Sequence, residues 1–154
     1  MTAPERPSSA TGAGLAGLSC PAQPQELPEL VTFDGPPSLT SATLEVGQLS
    51  KLCPSTGRPD QFSVQVVYTP TGGRCLEVDS LVRHLEAFHQ VAVSAEVLAD
   101  QLAAVALKAT GAGRVEVTVH QIGREGAGIH VTACHQAEGC CPTQTTISDP
   151  GCNS

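Results

Sequence analysis

The chain contains no tryptophan, one tyrosine and three phenylalanines in 154 residues. Proteins that hold single-stranded nucleic acid stack bases on aromatic rings, and this composition supplies too few rings to build such a platform. Cations are scarce as well: eight Lys and Arg against fifteen Asp and Glu leave a formal charge of −7. A footprint on a phosphate backbone needs clustered positive charge, so nucleic acid is excluded as a partner. No apolar run approaches the roughly 20 residues that cross a bilayer. Residues 12–18 are too short and glycine-rich for the core of a signal segment, and Glu5 stands where a basic flank belongs. Before Cys20 the position three residues upstream is Gly17, not the leucine of a lipoprotein cleavage site. The absences together leave a free small molecule as the ligand, with no nucleic acid and no membrane. They also place the protein in the cytoplasm, where its seven cysteines stay mostly reduced.

Composition divides the chain into three parts. Residues 1–42 are rich in Pro, Ser, Gly and Ala without periodicity and are expected to be disordered. Residues 43–133 carry the periodic apolar pattern of a folded domain, and 134–154 form a Cys-rich flexible tail. A core of about 90 residues is small enough that subunit association would help complete it. Within it, alternation predicts a strand over Ser63–Thr69, a turn at Pro70-Thr71-Gly72-Gly73, and a second strand over Arg74–Val78. Leu81, Leu85 and Phe88 predict a helix over Ser80–Phe88. Ser94 is a good N-cap for a second helix reaching about Ala109, ended by Gly111 and Gly113. Val115, Val117 and Val119, then Ile129, Val131 and Ala133, mark two more strands, giving the order ββααββ.

Chemistry concentrates in Cys53-Pro54-Ser55-Thr56-Gly57-Arg58-Pro59-Asp60. Pro54, Gly57 and Pro59 forbid a helix and predict a shaped turn at the mouth of the first strand, with a thiol at one end and a carboxylic acid at the other. That pairing suits a nucleophile and its proton donor. The bland alternative is a structural turn around an inert buried thiol.

This loop and the strand after it resemble the 7-cyano-7-deazaguanine reductase family (QueF), part of the tunnelling-fold group, whose Cys-Pro-x-Thr-Gly-x-Pro-Asp loop is met here at every fixed position. The resemblance implies an α+β tunnelling fold: a four-stranded antiparallel sheet with two helices on one face, oligomerising into a barrel with the helices outside. It implies Cys53 as the nucleophile and Asp60 as the acid in forming a thioimide on the nitrile of 7-cyano-7-deazaguanine, followed by NADPH-dependent reduction to the aminomethyl product. Glu77 and Glu96 keep the separation of the family's two glutamates, which makes Glu96 the anchor of the deazapurine ring and puts Glu77 and Ser80 at the substrate. A carboxylate can accept two parallel N–H bonds from a guanine-like edge. An acidic residue in a first helical turn is also stabilised by the helix dipole with no ligand at all. A second alignment sets Phe88-His89-Gln90 on the family's Phe-His-Glu and would give the ring an uncharged amide.

The chain departs from the family where NADPH is bound. The signature Glu-Ser-Lys-Ser-Leu-Lys reads Glu77-Val78-Asp79-Ser80-Leu81-Val82, so both lysines are replaced, by Asp79 and Val82, and Arg83 and Arg124 remain as the nearby cations. Loss of positive charge predicts weak NADPH binding and keeps two alternatives open. One is capture of the thioimide by ammonia to give an amidine; the other is a deazapurine-binding protein without turnover. In the tail, Cys134, His135, Cys140, Cys141 and Cys152 match no standard zinc spacing, and no metal is expected.

Overall fold

Alternating apolar residues in two strand segments and a 3.6-residue apolar period in two helical ones give a sheet and a helical layer that can bury each other's faces. The computed structural model describes residues 26–123 and 126–138 and has this arrangement. Strands β1 (Thr32–Asp34), β2 (Ala42–Leu52), β3 (Pro59–Tyr68) and β4 (Arg74–Leu76) precede helices α1 (Val78–Glu86) and α2 (Ala95–Thr110), and β5 (Arg114–Ile122) and β6 (Gly128–Gln136) follow. The main sheet has four antiparallel strands in the order β2-β3-β5-β6, with β1 and β4 forming a separate two-stranded ribbon. The chain therefore has the expected α+β fold, and its main sheet and helices follow the order ββααββ.

The members of that order differ from the sequence expectation. The segment expected as the second strand, Arg74–Val78, is β4 and lies outside the main sheet. Its place is taken by β2, which periodicity did not reveal, because a bulge interrupts it. Pairing with β3 shifts between Val46 and Leu49, and Gln48 takes a left-handed φ of 59°. The inward side chains are thus Val46, Leu49 and Lys51. No fixed period of two runs through those positions.

The inner face of the sheet carries Phe62, Val64, Val66 and Tyr68 from β3 with Val115, Val117 and Val119 from β5, all buried. Against them pack Leu98, Leu102 and Ala106 of α2 and Leu81 and Leu85 of α1. Each large aliphatic side chain buried there contributes about 1.5–3 kcal/mol. Helix α2 is opened by Ser94, whose Oγ accepts from the Val97 amide at 3.3 Å, and closed by Gly111 at φ 62°, whose amide donates to Leu107. The opposite face is polar. It holds a Gln65–Glu45 bond of 2.7 Å, a Thr118–Thr132 bond of 2.9 Å and stacked His120 and His130 rings.

Both outer boundaries move. Residues 26–41 are not an appendage: β1 pairs with β4, and α1 ties down what precedes it. The Ser80 hydroxyl donates to Glu77 O at 2.8 Å and accepts from the Val31 amide at 3.0 Å, and His84 Nδ1 donates to Pro28 O at 2.7 Å. Composition hid this segment, since a strand of three residues held by side-chain bonds needs no periodicity of its own. At the other end β6 runs to Gln136, so Cys134 and His135 belong to the sheet. As strand neighbours they face opposite sides, and His135 bonds Asp100 at 2.7 Å. Cys140, Cys141 and Cys152 lie outside the described residues, as does Arg124.

Ser80→Ala should lower the unfolding free energy by about 1–3 kcal/mol, the cost of leaving a Val31 amide without its acceptor. The urea midpoint should fall with an unchanged slope. An unchanged midpoint would mean that the ladder to β4 alone holds β1.

Candidate active site

The turn between β2 and β3 is built by its own backbone. The Cys53 amide donates to Arg58 O and the Gly57 amide to Cys53 O, both at 2.8 Å, with Gly57 in the left-handed region at φ 66°. Pro59, which has no amide proton to give, is placed at the first position of β3. The closed turn aims the Thr56 hydroxyl and the Thr56 and Ser55 amides at the Cys53 sulfur, and these bonds hold the thiol below its ordinary pKa. Partial burial and the charge of Asp60 act in the opposite direction and are outweighed. Donors converging on a half-buried sulfur are what a reactive thiolate requires.

Asp60 is the Cα partner of Lys51 across the β2–β3 ladder, and both side chains lie on the inner face at the end of the apolar core. Lys51 Nζ stands 3.7 Å from Asp60 Oδ2, with the lysine side chain 1% exposed and the aspartate 14%. Asp60 Oδ2 also accepts from Gln121 Nε2 of β5 at 3.0 Å. Burial pushes the Lys51 ammonium below its usual range, while Asp60, Cys53 and Glu96 each hold it up.

Glu96 arrives by a separate route. Leu52, the last residue of β2, exchanges backbone bonds with the segment before α2: its amide donates to Val91 O at 3.0 Å and its carbonyl accepts from Val93 at 3.2 Å. This pins residues 91–93 beside the reactive turn, so that α2 opens there with Glu96 exposed in its first turn. Asp60 is thus paired with one buried cation, with Cys53 in the adjoining turn and the start of α2, which carries Glu96, pinned beside it.

Other candidates fall elsewhere. Ser80 is fully buried and spends its hydroxyl on Val31 and Glu77, so the substrate-binding place expected for it is corrected to an anchor for β1. Glu77, the N-cap of α1, and Arg83, in its last turn, are partly exposed and pair with each other at 3.8 Å. His89 bonds the Ser50 hydroxyl, and Gln90 lies in the exposed turn between the helices. Gln90 and Glu96 are both exposed, Gln90 in the connection between the helices and Glu96 in the first turn of α2.

Lys51 and Gln121 were invisible to motif reading. The signal for Lys51 was present, since a lysine two residues before Cys53 in a hairpin closed at Cys53–Arg58 must face Asp60. Using it requires the register, which is set by the closure of the turn and not by any periodicity of β2.

The positions that would meet NADPH fit it poorly in this chain. Asp79 is an exposed acid in the first turn of α1, Val82 is partly buried against the core, and Arg83 is engaged with Glu77. An exposed acid and an apolar contact offer a polyphosphate neither pairing nor attraction.

No protein-family model matches the chain. It is similar to proteins named NADPH-dependent 7-cyano-7-deazaguanine reductase from three organisms. That of Frankia casuarinae is 33% identical over 86 residues, covering 56% of this chain and 68% of the relative. That of Halorhodospira halophila is 30% identical over 108 residues, covering 69% and 91% respectively. That of Alkalilimnicola ehrlichii is 28% identical over 116 residues, covering 74% and 89%. Among solved structures the fold is similar to that of the archaeosine synthase QueF-Like in the apo form, with a TM-score of 0.58, 25% identity, and coverage of 63% of this chain and 94% of that one.

The Thr56 hydroxyl makes the largest contribution to lowering the Cys53 pKa. In Thr56→Val the pH profile of Cys53 alkylation by iodoacetamide should move to higher pH, because the thiolate loses its strongest donor. A profile superimposable on that of the native chain would show that the turn amides suffice.

Proposed function

We propose that this chain, which belongs to the 7-cyano-7-deazaguanine reductase (QueF and QueF-like) family, bonds Cys53 covalently to the nitrile carbon of a 7-cyano-7-deazaguanine. The observation that carries the reading is the closed turn that sets the Cys53 thiol, held below its ordinary pKa by donors of that turn, at the mouth of the strand whose Asp60 pairs with the buried Lys51. The Cys53 thiolate adds to the carbon of C≡N, Asp60 gives a proton to the nitrogen as its charge develops, and the product is a thioimide. Glu96, exposed at the opening of α2, accepts the paired N–H donors of the ring, each charge-assisted bond contributing roughly 1.5–3 kcal/mol.

The second step has two readings. The named relatives are NADPH-dependent reductases, and reduction of the thioimide to 7-aminomethyl-7-deazaguanine is the activity the family suggests. When bound, NADPH would supply hydride. The acidic and apolar character of Asp79 and Val82 favours the alternative, in which ammonia attacks the thioimide carbon and the carbon–sulfur bond breaks. That releases an amidine and returns the Cys53 thiol, with no cofactor required. The similarity to a QueF-Like archaeosine synthase supports it.

We read the functional form as a homo-oligomer, supported by the unpaired outer edge of β6 and the largely unpaired one of β2 in the single chain, since exposed edges invite pairing with another copy.

Intact-protein mass spectrometry after exposure to 7-cyano-7-deazaguanine should give a gain equal to the nitrile, mapped to Cys53 and missing in Cys53→Ala. Discharge of the adduct by ammonia and not by NADPH supports amidine formation; the reverse supports reduction. No adduct at all rejects both.

Glu96→Gln should raise the nitrile concentration needed for half-maximal adduct about tenfold or more, the equivalent of one lost charge-assisted bond. Equal occupancy in both proteins would remove Glu96 from the ring.

A further inference from the structure

All five histidines of the chain lie among the described residues, and three of them spend a ring nitrogen on the protein: His84 on Pro28 O, His89 on the Ser50 hydroxyl and His135 on Asp100. His120 and His130 differ, since among the described residues neither ring has a hydrogen-bond partner. They are Cα partners across the β5–β6 ladder on the polar face of the sheet, with ring centroids 3.9 Å apart and planes inclined by 22°. The neighbouring row of that face is saturated, Glu45 bonding Gln65 and Thr118 bonding Thr132. In the row of the histidines the partner of His120 is the small Ser63, and the bulge at Gly47 ends the row on β2. The missing bulk leaves a basin of about 450 Å³ bordered by both imidazoles and Glu45.

We infer that His120 and His130 form a chelating site for a divalent late first-row metal ion (Ni²⁺, Cu²⁺ or Zn²⁺), on the face of the sheet opposite to Lys51 and Asp60. An unprotonated imidazole offers one nitrogen lone pair, and imidazole suits these ions where Mg²⁺ and Ca²⁺ call for oxygen. Directly opposed strand residues have β-carbons about 4.5–5.5 Å apart. Rotation about the two side chains therefore brings one nitrogen of each ring to the roughly 2.0–2.1 Å of a metal–imidazole bond. No hydrogen bond to the described residues breaks in that rotation, and Gly128 leaves the space beside His120 Nε2 open, where a β-carbon would stand at 3.8 Å. Charge favours a cation too: no lysine or arginine lines the basin, and Glu45 gives only Oε1 to Gln65. No third His, Cys, Asp or Glu joins the pair among the described residues, so water completes the coordination.

Thiols compete for the same ions, so the test uses the full chain with its accessible cysteines blocked by iodoacetamide. Calorimetric titration with Ni²⁺ at about pH 7.5, where imidazole is largely uncharged, should give one ion per chain. The binding should vanish near about pH 5, because a protonated imidazole has no lone pair to give. His120→Asn and His130→Asn should each weaken Ni²⁺ about a hundredfold, with circular dichroism verifying the fold of both. His135→Asn, which removes an imidazole already bonded to Asp100, should leave the affinity unchanged. Cu²⁺ should bind more tightly than Ni²⁺ or Zn²⁺, and its electron paramagnetic resonance should show coupling to nitrogens of two imidazoles.

No Ni²⁺ bound by the blocked native chain, native affinity retained in either His120→Asn or His130→Asn, or a Cu²⁺ spectrum with fewer than two coupled imidazoles each overturns the site. None of these measurements involves the nitrile, so the chelating pair stands or falls separately from the chemistry of Cys53.

Discussion

One ion pair, Lys51 with Asp60, organises the end of this molecule where the apolar core stops. A charge shut away from water has to be met by a compensating group, and that group is Asp60, the acid of the proposed site, which Gln121 holds from β5. The side chains that make burial tolerable are the same ones that make the site. Structure and function share a cost here: each strand that delivers a partner also completes the sheet, and neither role can be altered without the other.

The layering of the fold follows from that arrangement. The inner face of β3 runs from Tyr68 through Val66, Val64 and Phe62 to Asp60, a continuous row of alternate residues that turns from apolar to charged at its last step. β5 does the same, passing from Val115, Val117 and Val119 to Gln121. The helices cover the apolar part of both rows, and the opening turn of α2 reaches the charged part. The backbone bonds of Leu52 with Val91 and Val93 are what bring it there.

Much of this was readable in the residues, for physical reasons. A turn rich in proline and glycine followed by alternating β-branched side chains has few other conformations to adopt, so the reactive loop, β3, both helices and the last two strands were legible. Glu96 was singled out because its distance from Glu77 matches a known pattern. What escaped had a non-local or register-dependent cause. β2 is phase-shifted by its bulge, β1 is held by side chains of α1 that give no periodic signal, and Ser80 looked like a ligand because a motif carries it, although its hydroxyl is consumed by Val31 and Glu77. Lys51 belongs to the same class: a lysine in a short polar stretch reads as solvated until pairing sets it opposite Asp60.

The bulge at Gly47–Gln48 makes the site sensitive to chain length in a way that its composition does not reveal. Loss of a single residue there would restore a regular alternation and keep β2 paired along its whole span. Leu49 and Lys51 would then follow Val46 at a spacing of two and still face inward, whereas loss of Ser50, beyond the bulge, would turn Lys51 to the polar side of the sheet and bring a neighbour into its place. A one-codon deletion could thus leave a well-folded molecule whose thiol has no cation behind it, a lesion that a tally of motif residues would score as intact.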